Sequence, residues 1–244
     1  MSLDWKHRLA VLLPSSNTTF EPEIWPLLPP GVSLHVGRLR LRADTLEELE
    51  RMVDDVPDET QKLADVHPAA IAFGCTAGSF LGGLGYDRRI LDVMTQFAPG
   101  VPCTTTTTSV LAALKEMNIH RMILYTPYPE WLTLRQVDLF TKAGFEVVRY
   151  AFLGLEDLMN EVAPGEIYEA VKRLDDPRAD GVFISCTDFP STVVLPWLEK
   201  QLGKPVINSS VSTLWMLLRS AGLGYRPGHC GLLSKAFLRQ CLGR

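Results

Sequence analysis

The sequence predicts an α/β fold of two duplicated lobes, each built on a four-stranded parallel sheet. Three observations support this: chain size and composition, the alternation of apolar and amphipathic segments, and an internal repeat. The chain has 244 residues, of which 46% are hydrophobic and 21% charged, so it can bury a large core. Short apolar runs alternate with longer amphipathic stretches, which is typical of a parallel sheet wound with helices.

The repeat defines the architecture. The segment from Pro68 to Thr76 matches the segment from Ala179 to Thr187, and this match aligns Cys75 with Cys186. Two further matches begin at His7 and His120, and at Pro102 and Pro205. Internal similarity of this kind indicates duplicated structural units. We therefore expect a lobe from residues 1–119, a second lobe from residues 120–221 related by a pseudo-two-fold axis, and a tail, residues 222–244, that packs back on one lobe.

The elements follow in chain order. Strands are expected where β-branched or apolar residues cluster: Leu9–Leu13, Ser33–Leu39, Ala70–Phe73, Val101–Cys103, Met122–Tyr125, Glu146–Phe152, Val182–Ser185 and Val206–Asn208. Helical periodicity predicts the segments between them: Leu46–Ala64, Arg88–Phe97, Ser109–Met117, Trp131–Ala143, Ile167–Leu174, Val194–Leu202 and Leu214–Ala221. Pro57 lies inside the first of these helices, where a proline breaks or kinks a helix.

Charge and hydropathy exclude several classes of partner. The chain has 24 Lys and Arg against 28 Asp and Glu, a formal net charge of -4, so it lacks the basic surface expected for nucleic acid or an anionic membrane. Apolar runs such as Met122–Tyr125 have strand length, far short of a membrane helix. Residues Met1–Ala10 contain no apolar segment typical of a signal peptide. We expect a cytoplasmic protein.

Five cysteines require separate explanations. An odd number in a cytoplasmic chain argues against a disulfide framework. Neither a CxxC motif nor a Cys/His pair at metal-ligand spacing occurs, so we expect no metal. Free cysteine is often a small buried hydrophobe, which is how we interpret Cys103. Cys230 and Cys241 lie in the tail without an evident partner.

Cys75 and Cys186 are different because they occupy equivalent positions, each followed by Thr, at the end of a buried strand. Ligands of open parallel sheets bind outside the carboxyl ends of the strands, so the two thiols should face each other between the lobes. A turn leading into a helix also favours the thiolate and should lower the thiol pKa. Two facing thiols suit a nucleophile or base working with an acid, without a cofactor. A pair of buried core cysteines is the alternative.

Neutral donors surround these turns. Pro14-Ser-Ser-Asn-Thr-Thr follows the first strand, Thr126-Pro-Tyr follows its counterpart, and neither turn contains Lys or Arg. This favours a carboxylate substrate held by hydroxyls, amides and backbone N–H groups. An ordinary helix cap is the alternative for the first turn, and a rim aromatic for Tyr128. The substrate-binding candidates are Ser15, Ser16, Asn17, Thr76, Tyr128 and Thr187. Gly82-Gly-Leu-Gly85 suggests a mobile loop that closes beside Cys75.

Four motifs together resemble one family over almost the whole chain: Pro14–Glu23, Gly74-Cys-Thr-Ala-Gly-Ser79, Tyr125-Thr-Pro-Tyr128 and Ser185-Cys-Thr-Asp-Phe-Pro190. They are similar to the maleate cis-trans isomerase branch of the aspartate/glutamate racemase superfamily. The resemblance implies two Rossmann-like lobes, no cofactor, and a thioether intermediate formed when the first-lobe cysteine adds to the double bond of maleate. It assigns Cys75 as nucleophile and Cys186 as acid. Asn17, Tyr128 and Asn160 match substrate-binding positions.

Three alternatives stay open. Arylmalonate decarboxylases are similar in Val101-Pro-Cys-Thr-Thr and Arg226-Pro-Gly228, but they have Gly where this chain has Cys75. Amino-acid racemases have both cysteines, and Asp188 could pair with a substrate ammonium, tune Cys186 or start a helix. A binding module that closes on a small anion is the third. The loops Leu41–Glu47 and Gly154–Pro164 should select the substrate, and superfamily relatives suggest a homo-oligomer.

Overall fold

The computed structural model describes residues 6–223 and contains two four-stranded parallel sheets. The first sheet has the order β2-β1-β3-β4 and the second the order β6-β5-β7-β8. The identical orders confirm the predicted duplicated α/β fold. The strands are β1 His7–Pro14, β2 Val32–Leu39, β3 Ala70–Phe73, β4 Cys103–Thr105, β5 Arg121–Thr126, β6 Glu146–Phe152, β7 Gly181–Ile184 and β8 Val206–Asn208.

Helices connect the strands and cover the sheets. They are α1 Phe20–Ile24, α2 Leu46–Met52, α3 Val56–Ala64, α4 Thr76–Phe80, α5 Asp87–Phe97, α6 Thr106–Glu116, α7 Glu130–Lys142, α8 Pro164–Leu174, α9 Leu195–Leu202 and α10 Ser209–Ser220. Among residues 6–223, no helix is both long enough and apolar enough to cross a bilayer. The inner strands β1, β3, β5 and β7 are buried on both faces almost throughout, which explains their continuous apolar runs.

Local differences from the predicted elements have clear causes. The expected helix Leu46–Ala64 is two helices separated by the 3₁₀ turn Val53–Asp55, and Pro57 lies in the first turn of α3. A proline fits there because the first helical N–H groups have no partner. Strand β4 begins at Cys103 and is shifted toward the threonine tract. The short helices α1 and α4 have five residues each and lack a periodic apolar pattern, so the sequence did not predict them.

The two lobes, defined here as the first and second sheets with their helices, share the last described helix. Helix α10 follows β8 of the second sheet but packs against α6 and against β3 and β4 of the first. Thr213 on α10 donates to Thr106 on α6 at 3.1 Å. The predicted unit 120–221 is therefore not packed on its own, and its boundary stays a prediction. The tail from residue 224 onward lies outside the described residues.

Candidate active site

A small cavity lies between the lobes where the strands end. Its volume is about 140 Å³, below the roughly 300–1,000 Å³ of drug-sized sites, so it suits a ligand of few atoms. Eight residues predicted for catalysis or substrate binding line it together: Ser16, Asn17, Cys75, Thr76, Tyr128, Asn160, Cys186 and Thr187. The structure thus brings both aligned cysteines into one small cavity.

Cys75 occupies the N-cap of α4, directly after β3. Its sulfur accepts a hydrogen bond from the Gly78 N–H at 3.3 Å. Glycine is needed on both sides of the thiol. A Cβ on Gly78 would lie 3.3 Å from the Cys75 sulfur, and a Cβ on Gly74 would lie 2.6 Å from side chains of β1. The turn therefore positions the thiol through close backbone packing.

Cys186 follows β7 at the equivalent position but has a different backbone. Its φ is 88°, whereas Cys75 has φ −119°. A non-glycine residue in the left-handed region costs on the order of 1–3 kcal/mol and persists where its surroundings enforce it. Ser209 accepts the Cys186 N–H at 3.1 Å, and the Asp188 N–H donates to the Cys186 sulfur at 3.3 Å. These contacts hold the thiol toward the cavity.

The thiols have raised pKa values, contrary to the sequence prediction. Burial is the main cause for both, and the negative charge of Asp44 adds to it. The N–H groups of Gly78 and Ala77 lower the pKa of Cys75, but by less. The sequence pattern indicates these N–H groups, but the loss of water around a buried thiol depends on tertiary packing. Both cysteines are therefore thiols at neutral pH.

Both threonines of the Cys-Thr pairs reach across to the opposite lobe. The Thr76 hydroxyl donates to the Ser209 hydroxyl at 2.9 Å, and the Thr187 hydroxyl donates to the Gly74 carbonyl at 2.8 Å. The predicted substrate contacts of Thr76 and Thr187 thus involve hydroxyl protons already committed to other groups. Both residues still line the cavity.

Asn17 is oriented by the start of α1. Its side-chain oxygen accepts the N–H groups of Thr19 and Phe20 at 3.1 and 3.0 Å, which is the capping role that the sequence left open. The amide nitrogen consequently points away from the helix and donates to Thr187 at 3.3 Å. An amide N–H₂ has two protons, so the second is available to a carboxylate in the cavity.

Tyr128 and Asn160 complete the predicted set. Tyr128 is buried and stacks edge-on against Phe80 with ring centres 6.2 Å apart, and its hydroxyl lowers the pKa of the Cys186 thiol. Burial raises its pKa well above the usual value, so it is a neutral donor. Asn160 lies in the 3₁₀ turn Met159–Glu161 and donates to the Thr18 hydroxyl at 2.6 Å, which ties the second lobe to the first above the cleft.

Two predicted elements lie elsewhere. The Ser15 hydroxyl donates to the Leu41 carbonyl at 3.0 Å and accepts the Leu41 N–H at 3.1 Å, and Ser15 does not line the cavity. Its position one residue past β1 directs it to the neighbouring chain segment. The Gly82–Gly85 turn does not line the cavity either. The covering segments are residues 41–44 and 156–160, joined by the Asp44 N–H and the Glu156 carbonyl at 2.6 Å.

Asp188 serves as a cap across the lobes. One carboxylate oxygen accepts the N–H groups of Thr18 and Thr19 at 2.9 and 3.1 Å, at the start of α1. The sequence predicted a helix-start role as one of three, and the structure places that helix in the other lobe. Glu23 on α1 makes a second hydrogen bond between the lobes, in which its carboxylate accepts the Thr192 N–H at 2.8 Å.

Asp44 and Met159 are cavity residues that sequence reasoning did not single out. Asp44 is 7% exposed and its pKa is raised to about 7 by burial and by the Asp188 charge. The Met159 sulfur lies 3.8 Å from the Cys186 sulfur. Both belong to loops predicted to select the substrate, but no motif distinguishes them within those loops.

In the described part of the chain, no three His, Cys, Asp or Glu side chains lie close enough together to bind a metal ion.

Fold and site define a two-lobed α/β protein with two cysteines in one small cleft. The family model for arylmalonate decarboxylase (Amdase) matches residues 9–233, and the chain belongs to that family. A maleate isomerase from Geobacillus stearothermophilus is 29% identical, covering 94% of this chain and 98% of its own. An arylmalonate decarboxylase from Bordetella bronchiseptica is 26% identical and covers 93% of each chain.

The structural comparison agrees with the sequence comparison. The crystal structure with maleate of a maleate isomerase variant from Pseudomonas putida S16 superposes with a TM-score of 0.90 at 28% identity. The superposition covers 95% of this chain and 99% of that one. These matches confirm the predicted resemblance to the group that contains maleate isomerases and arylmalonate decarboxylases.

Proposed function

We propose that this protein is a cofactor-independent cis-trans isomerase of a small cis-enedioate of the maleate type. The observation that supports it most directly is the presence of Cys75 and Cys186 in one small cavity of about 140 Å³. Similarity to maleate isomerases along nearly the whole chain supports the same reaction. The proposal includes the prediction of a cytoplasmic homo-oligomer.

The reaction starts from one thiolate and one thiol. The Cys75 thiolate attacks one alkene carbon, forming a C–S bond, while the Cys186 thiol gives its proton to the other carbon. The former double bond is now single and rotates. The Cys186 thiolate then removes the proton, the C–S bond breaks, and the trans product leaves with Cys75 again a thiolate. Electrons and protons balance over the cycle, so no external reductant or oxidant enters.

The pH dependence of kcat/KM follows from the number of protons on the two cysteine sulfurs. Both thiol pKa values are raised, and the reactive state contains one proton for the two sulfurs. One thiol proton must therefore leave before turnover, and kcat/KM should rise with pH above neutrality. Tyr128, whose hydroxyl lowers the pKa of Cys186, stabilises the negative charge when that residue is a thiolate.

Uncharged hydrogen-bond donors bind the carboxylates of the substrate. The Asn17 amide proton that is not used by Thr187 is one, and backbone N–H groups at the turn after Cys75 are others. Asn160 closes the cavity by its bond to Thr18. Ser16 lines the cavity and is exposed, which places it at the entrance.

Cys75 separates this function from two of the alternatives, a decarboxylase and a non-catalytic binding module. The resemblance implies that a decarboxylase has Gly at this position, and a non-catalytic anion-binding module requires neither thiol. The direct test is to incubate the protein with maleate and follow fumarate by ¹H NMR. Enzyme-dependent fumarate formation supports the proposal, and the absence of turnover with maleate and its monoamide contradicts it.

An amino-acid racemase is a second candidate because two carboxylates, Asp44 and Asp188, line the same cavity and could face a substrate ammonium. This function predicts that solvent deuterium enters the Cα position of an amino acid such as aspartate. Deuterium exchange without isomerisation of a cis-enedioate would favour the racemase, and isomerisation without exchange would exclude it.

A further inference from the structure

Asp44 is a buried carboxylate without a partner in the described structure. It lines the cavity with both cysteines and is only 7% exposed. Its backbone N–H bonds the Glu156 carbonyl, and the pKa of its carboxylate is set by burial and by the Asp188 charge, with no hydrogen bond from residues 6–223 contributing. Buried carboxylates are normally hydrogen-bonded or paired. The missing partner therefore has to come from what enters the cavity.

Surrounding charges do not compensate Asp44. Asp188, Cys75, Cys186 and Tyr128 all interact with it electrostatically, and each is neutral or negative. The charged groups at the cavity wall are Arg42, Glu156, Asp157 and Asp188. Arg42, the one cation among them, is exposed and pairs with Glu48. The wall near Asp44 is therefore net acidic.

The side-chain hydrogen bonds that are donated inside the cavity go to groups other than Asp44. Asn17 donates to Thr187, Thr187 to Gly74, and Thr76 to Ser209. An ionised carboxylate only accepts hydrogen bonds, so a second carboxylate placed beside Asp44 would repel it. An N–H group there would satisfy it with a charge-assisted hydrogen bond.

We propose that Asp44 is a specificity-determining residue that selects a substrate with an N–H donor at one end, namely the monoamide of a cis-enedioic acid, over the dianion. The carboxylate end of the substrate meets Asn17, and the amide end donates to Asp44. This proposal rests on the proposed function, since it assigns the substrate class of the same site. Because the pKa of Asp44 is about 7, the carboxylate is ionised at pH 8, where the selection should be strongest.

Two measurements test the proposal. The first compares kcat/KM for maleamate and maleate at pH 8 in wild type and in Asp44→Asn. Hydrogen bonds to charged groups contribute about 1.5–3 kcal/mol, which corresponds to a roughly tenfold or larger preference for maleamate in wild type. Asn donates an N–H₂, so Asp44→Asn should move the ratio toward maleate by at least tenfold.

The second measurement is independent of turnover. Succinamate and succinate lack the double bond, and their Kd values at pH 8, measured by calorimetry, should show the same preference and the same shift in Asp44→Asn. If wild type isomerises neither alkene but still prefers succinamate, the proposed function fails and the role of Asp44 stands. If isomerisation occurs but the Kd ratio in Asp44→Asn stays within twofold of wild type, the role of Asp44 fails.

Asp157→Asn is the matched control. Asp157 is an exposed carboxylate at the wall of the same cavity, so its neutralisation tests general electrostatics. The ratio should stay within twofold of wild type in this variant, and both variants should retain the wild-type circular dichroism spectrum. An equal shift in Asp157→Asn, or a wild-type preference for the dianion, would overturn the proposal.

Discussion

The Thr76 hydroxyl in the first lobe donates to the Ser209 hydroxyl in the second at 2.9 Å, and the same Ser209 oxygen accepts the Cys186 N–H. One serine thus connects the turn after Cys75 to the backbone of Cys186. Because φ of Cys186 is 88°, this connection helps hold an unfavourable conformation. The geometry of the two thiols depends on a contact that neither lobe makes alone.

Ser209→Ala should reduce both stability and activity. It leaves the buried Cys186 N–H without its acceptor, which costs about 1–3 kcal/mol of unfolding free energy. It should also lower kcat at least tenfold, because the Cys186 thiol is no longer held toward the cavity. Urea unfolding and steady-state kinetics measure the two effects.

Ser212→Ala is the control for that prediction. Ser212 is also buried on α10 and donates to the Asn208 carbonyl at 2.6 Å, but it does not line the cavity. We expect a stability loss of about 0.5–1.5 kcal/mol with kcat within twofold of wild type. An equal loss of kcat in both variants would show that Ser209 acts only through general stability.

Gly78→Ala should affect activity more than stability. The new Cβ would lie 2.4 Å from the end of the flexible Met52 side chain and 3.3 Å from the Cys75 sulfur. Met52 can move, but the thiol is then displaced from its hydrogen bond with the residue 78 N–H. We expect at least a tenfold loss of kcat/KM.

Gly165→Ala provides the matched comparison. Gly165 lies in the first turn of α8 with open space around its Cβ position, so alanine should raise the unfolding free energy by up to about 1 kcal/mol and leave kcat/KM unchanged. Wild-type activity in Gly78→Ala would contradict the proposed positioning of Cys75.

Asp44 should make the protein less stable as pH rises. Its pKa is about 7 in the folded state, above the ordinary 3.8, so between about pH 4 and 7 the folded state holds a proton that the unfolded state has released. Stability from this group is present below the unfolded pKa and is lost toward pH 7, by about 1.4 kcal/mol per pH unit. Asp44→Asn should remove that slope.

Urea unfolding of wild type and Asp44→Asn at pH 5, 6 and 7 measures the difference. Glu23 and Asp188 also have raised pKa values, but both proteins contain them, so their contribution cancels in the comparison. If the free energy of unfolding changes with pH in the same way in both proteins, the pKa of Asp44 is not raised by burial and the prediction is wrong.

Much of the fold could be predicted because the repeat aligns strand with strand. The match of Pro68–Thr76 with Ala179–Thr187 corresponds to β3 and β7, the inner strands that lead to Cys75 and Cys186. Pro57 similarly marked the break between α2 and α3. The packing of α10 on the first sheet had no sequence signal, because chain order places that helix after the second sheet.

The site was predictable in its residues and less so in its physics. Cys75 and Cys186 look equivalent in sequence, yet their φ values differ in sign because Ser209 and Asp188 bond only the second. The raised thiol pKa values follow from tertiary burial, which no local pattern encodes. Asp44 enters the cavity because its loop packs on Glu156, more than a hundred residues later in the sequence.

The central claim is that Cys75 and Cys186 act as a nucleophile and acid pair. It is tested most directly by ¹H NMR of maleate and maleamate incubated with wild type, Cys75→Ala and Cys186→Ala at equal folded concentration. Cys103→Ala is the control, since Cys103 is partly buried outside the cavity. We expect trans product from wild type and Cys103→Ala, and at least a thousandfold slower reaction in the other two variants. Wild-type rates in either Cys75→Ala or Cys186→Ala would contradict the account.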